Sequence, residues 1–132
     1  MGMRKVAVLG VLGAFVLGCS ERSRLTFPTS VDGLGPEVTI LAPAQDTTVT
    51  AGPAALVSGR VVDQDGIDTV YFDVQGGVTS FNPFIAQGAD TVTFSLPITT
   101  NGQAGKTITV SISAVNIPGL VGDTVRRQIT IQ

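Results

Sequence analysis

The sequence predicts an all-β protein, an antiparallel sandwich of about seven strands, and three observations carry that prediction. Short runs alternate apolar and polar residues with a period of two, the signature of strands with one buried face. Clusters of Gly, Pro, Asn and Asp separate these runs at spacings of about ten residues. From Glu37 onward no stretch repeats with a helical period, and the chain is rich in Gly, Val and Thr, which favour strands and turns.

The elements follow in order. Glu37–Leu41 places Val38 and Ile40 on one face, and Pro43 closes the run. Thr47–Thr50 is a brief second run. Ala55–Val62 puts Val57, Gly59 and Val61 inward, with Ser58 and Arg60 outward. Ile67–Val74 puts Val70, Phe72 and Val74 inward, with Thr69, Tyr71 and Asp73 outward. Val78–Ile85 is weaker and interrupted by Pro83, so it reads as an edge strand. Thr91–Leu96 alternates through Val92, Phe94 and Leu96. Thr107–Val115 presents Ile108, Val110, Ile112 and Ala114 to the core. Thr124–Ile131 presents Val125, Ile129 and Ile131, with Arg127 as the exception on that face. Arg127 is expected near the sheet end, its guanidinium reaching water.

About seven such strands in roughly 100 residues suggest an immunoglobulin-like β-sandwich. The residues support a closer resemblance. Pro36-Glu37-Val38-Thr39-Ile40 with Pro43, then Val57-Ser58-Gly59, then Asp63-x-Asp65-Gly66-Ile67 with Val70 and Phe72, resemble bacterial Ig-like domains, which are common in exported and surface proteins. The resemblance covers Pro36 to Ile131. The chain departs from the antibody type, having neither a cysteine pair nor a core Trp. Between the last two strands, Asn116-Ile117-Pro118-Gly119-Leu120 also departs from many relatives.

The N-terminus reads as an export signal. Arg4 and Lys5 form a positive head, and Val6–Leu17 follows as twelve residues without a polar side chain. As a helix that run is about 18 Å long, too short for a hydrocarbon core of about 30 Å. Val16-Leu17-Gly18-Cys19 resembles the lipobox of bacterial lipoproteins, although Leu17 is larger than the usual occupant. The resemblance implies cleavage before Cys19, lipidation of Cys19 and attachment to a membrane without a spanning helix. Two or more acyl chains give stable anchoring. Ser20 after the Cys, rather than Asp, implies the outer membrane if the host is Gram-negative. The expected organisation is a signal peptide over 1–18, Cys19 with a flexible tether over 19–36, and the sandwich over 37–132. Leu25 and Phe27 packing on the domain would shorten that tether.

Composition narrows the chemistry. The chain has no His or Trp, one Cys and one Tyr, and 14% charged residues against the usual quarter. Imidazole bases, His metal sites and intrachain disulfides are excluded. Lys106 is the only Lys beyond the signal and reads as a solvated strand-end charge, so no catalytic site is expected. Loss of Arg4 and Lys5 leaves six basic residues against ten acidic ones, with no basic stripe for nucleic acid.

Two clusters remain. Asp63-Gln64-Asp65-Gly66-Ile67-Asp68 is the densest acidic run. Asp63, Asp65 and Asp68 are candidate calcium ligands, since calcium takes several carboxylate oxygens from a tight Gly-containing loop. The EF-hand closing Glu is missing. The simpler reading is a strand-connecting turn in which Asp side chains accept backbone N–H groups and Gly66 takes positive φ. Tyr71, Phe81 and Phe84 are candidate partner contacts, because exposed aromatics mark binding surfaces; alternatively Phe81 or Phe84 caps the core. An edge strand there offers pairing to a partner strand. The sequence therefore points to an envelope lipoprotein with a non-catalytic module for protein contact, adhesion or envelope assembly. The alternatives are a carbohydrate-binding sandwich, against which the lack of Trp and the single Tyr weigh, and an accessory subunit of an envelope enzyme or transport complex.

Overall fold

A computed structural model of the chain describes residues 32–132. The alternating runs form six strands: β1 (Glu37–Ala42), β2 (Thr47–Val49), β3 (Ala55–Gln75), β4 (Phe84–Ile98), β5 (Thr107–Asn116) and β6 (Val125–Ile131). They pair in the order β1-β3-β5-β6-β2, with β4 also on β3. All pairings are antiparallel except β2 with β6, where Thr47–Val49 runs parallel to Ile129–Ile131.

One long strand makes the sandwich. The first half of β3, Ala55–Val62, pairs with β1 and with the end of β4. Its second half, Ile67–Gln75, pairs with β5. The register shifts between Val62 and Ile67, where Gly66 has φ of 85°. This break bends the sheet back over itself, as bulges do. A Cβ on Gly66 would press on the backbone of Gly88, so both the dihedral and the approach require glycine. The result is the expected all-β, Ig-like architecture, built as one curled sheet of six strands.

The expected strands at 55–62 and 67–74 are therefore one continuous strand. The weak segment at 78–85 becomes a strand only from Phe84, after Pro83, and runs without a break into the expected strand at 91–96. Pro83 cannot donate to the ladder, and the strand starts beyond it.

The alternation holds through the core. Val57, Val61, Ile108, Val110, Ile112 and Ile129 are fully buried. Gly59 lies in the same inward row because Phe94 stands opposite it; a Cβ there would collide with the tip of the Phe94 ring and with the Thr39 carbonyl. Phe72 links the layers, its ring 5.7 Å from Phe94 and 6.3 Å from Phe81, both edge-on, a favourable aromatic geometry.

One expected orientation is corrected. Thr69 is buried, not exposed: its small side chain is flanked in register by Val115 and Ile85. Arg127 lies in β6 and is partly exposed, which leaves the expectation that its guanidinium reaches water standing. It sits opposite Val110, between Val125 and Ile129, with its Nε buried and without a hydrogen-bond partner.

Candidate functional site

Two parts of the domain gather polar side chains, the bend in β3 and the outer face of the β3-β5-β6 layer. They do different things with them.

At the bend, Asp63 is 7% exposed and both its oxygens are engaged. Oδ1 accepts the Asp65 backbone N–H at 2.7 Å, closing an Asx-type turn. Oδ2 accepts from Asn116 Nδ2 at 3.2 Å. Asn116, 1% exposed at the end of β5, also donates to the Leu34 carbonyl at 3.0 Å and accepts the Leu120 N–H at 2.8 Å. One side chain thus joins the bend, the β5–β6 loop and the segment entering β1. That segment is held further by Asp32: its N–H donates to Asp65 Oδ2 at 3.2 Å, and its Oδ2 accepts from Gln64 Nε2 at 2.9 Å. Gly35 and Gly122 let the two backbones touch, since a Cβ on Gly122 would collide with the Pro36 carbonyl. Asp32–Pro36, grouped with the tether on sequence, thus hydrogen-bonds onto the domain.

The three candidate calcium ligands are not brought together. Asp68 Oδ2 accepts from Thr69 Oγ1 at 3.0 Å. Among the described residues, no three carboxylate, His or Cys groups gather where they could hold a metal ion. The acidic run is a bend within β3 rather than a turn connecting two strands.

The outer face is built differently. β5 carries short hydroxyl side chains there, Thr109, Ser111 and Ser113, because its alternate positions Val110, Ile112 and Ala114 fill the core. Longer side chains flank them. Register places Tyr71 beside Ser113, Asp73 beside Ser111, and Arg126 on the far side of Ser111. A trough of about 310 Å³ results, lined by these residues together with Gln75, Thr109 and Thr124. Tyr71 is 46% exposed. Among the described residues, the one side-chain hydrogen bond within the trough joins Gln75 Nε2 to Asp73 Oδ2, at 2.8 Å.

The other two candidate aromatics separate. Phe81 packs edge-on to Phe72 and borders the core, as the capping alternative expects. Phe84 is 49% exposed at the start of β4, next to Ile85, also exposed. Cys19 lies outside the described residues. Ser111, Ser113 and Arg126 were not singled out as contact residues on sequence; the alternation of β5 already marked its two serines as outward, but only the strand pairing sets them between Tyr71, Asp73 and Arg126. The bonds by which Asn116 joins the bend to the segment entering β1 had no local signal, because those partners lie 82 and 53 residues away.

This geometry is that of a known class. A family model described as bacterial Ig domain matches residues 36–114, and the chain belongs to that family. Its domain is accordingly a non-catalytic one. Among solved structures, the chain is similar to a mutant of the SrpA adhesin from Streptococcus sanguinis, with a TM-score of 0.52 at 16% identity. The match covers 76% of this chain and 57% of that one, and at this identity it is a likeness of fold. No curated protein matches the chain in sequence.

Proposed function

We propose that this protein is a lipid-anchored envelope protein whose Ig-like domain makes adhesive or assembly contacts through the outer face of β3, β5 and β6. The observation that carries the contact reading is that face: an exposed Tyr71 beside a trough whose polar groups are not tied into a network. Interfaces favour Tyr and Arg at such positions. Membership of the bacterial Ig family and the likeness in fold to an adhesin domain support the same reading. A sandwich without His, and with one Lys beyond the leader, is suited to contact rather than chemistry.

The anchor rests on the sequence. Residues 1–18 are the export signal, Cys19 takes the lipid, and the tether runs over 19–36, its last residues held on the domain through Asp32 and Asn116. With Ser20 after the Cys, the anchored chain goes to the outer membrane in a Gram-negative host. Two or three acyl chains hold it there.

Two experiments test the two halves. Mass spectrometry and membrane fractionation of the expressed protein and of Cys19→Ala test the anchor; acyl mass and membrane retention disappear in the variant, and identical fractionation of both sinks the lipoprotein reading. Adhesion of cells expressing the protein, compared with cells expressing Tyr71→Ala at equal surface level, tests the contact face; unchanged adhesion rejects it.

A further inference from the structure

We infer that the trough on the outer face is a binding site for an uncharged saccharide, which deepens the contact reading above and rests on it. The argument starts from the row of short side chains. Ser111 and Ser113 lie on the middle strand, with β3 on one side and β6 on the other. Neighbouring strands are about 4.8 Å apart, so the β3 and β6 axes that carry the two walls stand roughly 10 Å from each other, with the short side chains of β5 between them. The volume of about 310 Å³ is at the small end of ligand sites, enough for one or two sugar rings and short for a folded protein segment.

The lining chemistry selects the ligand. The floor is hydroxylic, each Ser or Thr offering one donor and two acceptor positions. The β3 wall supplies a carboxylate acceptor at Asp73 and the Tyr71 ring; the β6 wall supplies the Arg126 guanidinium, a fork of donors. Asp73 and Arg126 flank Ser111 from opposite sides in one row. A ligand with net charge gains at one of them and loses at the other. A neutral polyol gains at both, accepting from Arg126 and donating to Asp73. Tyr71 then offers an apolar surface to the C–H face of the ring, with its hydroxyl at the solvent edge. The site is preorganised on regular strands rather than on loops, which limits the cost of ordering it.

The test is binding of the full exported chain, held in detergent, to an array of neutral and acidic oligosaccharides. Two variants accompany it. Tyr71→Ala removes the aromatic wall, and Ser113→Val fills the floor with a residue that suits a half-buried strand position. The expected result is retention on at least one neutral saccharide class, weakened at least tenfold in both variants, with both variants folded and their unfolding midpoints within a few degrees of the parent. Binding to no neutral saccharide, binding confined to acidic ones, or equal binding by variants and parent overturns the proposal. Cell adhesion that depends on Tyr71 while the array stays empty overturns the saccharide assignment and leaves the contact face standing. Loss of neither property overturns both.

Discussion

The bend of β3 and the outer face of β5 are both polar, and they differ in what their polar atoms are bonded to. At the bend, Asp63, Asp65, Asp32 and Asn116 satisfy one another and the backbone of three segments. On the outer face, Tyr71, Ser111, Ser113 and Arg126 line an open trough. A polar cluster whose hydrogen bonds close on the protein itself is architecture; one whose groups face solvent on a rigid scaffold is available to a ligand. Carboxylate density in the sequence pointed to the first region, and the availability of polar groups points to the second.

The sharpest way to break this contrast is to remove a member of the closed network. Asn116→Ala deletes hydrogen bonds to Leu34, Asp63 and Leu120 and leaves a buried carboxylate short of a partner. The expected cost is about 3 kcal/mol, from about 1 kcal/mol per ordinary bond and more where a charged group is involved. Urea unfolding checks it, and a loss below about 1 kcal/mol would mean that the network is incidental. Gly66→Ala comes next. It forces a side chain into positive φ against the Gly88 backbone, at an expected 1–3 kcal/mol in the same measurement.

Substitutions on the outer face sit at the other end of the stability scale. Tyr71→Ala and Ser113→Val, at partly exposed strand positions, should change unfolding free energy by about 1 kcal/mol or less, while weakening contact at least tenfold. The smallest expected effect is that of calcium. Asp63 already uses both oxygens, so thermal melts in millimolar calcium and in chelator should superimpose; a clear rise in melting temperature with calcium would show that the bend opens to take the ion.

How far the sequence spoke of this contrast depends on the range of the interactions. The period-two pattern placed Val57, Val61, Val92, Phe94, Ile108 and Ile112 correctly, because burial of alternate residues is a local signal. It could not show that β3 runs through Asp63–Gly66, since Asp-Gln-Asp-Gly reads as a loop whether the strand stops there or bends. It could not show that Arg127 stands opposite Val110, because that pairing comes from a neighbouring strand. The trough was half legible: Ser111 and Ser113 were outward by alternation, but their meeting with Tyr71 and Arg126 is a matter of strand order. Asn116 was invisible because its bonds to Leu34 and Asp63 are tertiary.

The central claim is that contact belongs to the outer face and stability to the bend. The most direct test is adhesion of cells displaying Tyr71→Ala beside cells displaying Asp65→Asn, at matched surface level and with both variants folded. Asp65→Asn keeps an acceptor for the Asp32 N–H while removing a charge from the acidic run. The account predicts that adhesion is lost with Tyr71→Ala and kept with Asp65→Asn. Adhesion lost with Asp65→Asn and kept with Tyr71→Ala would contradict it.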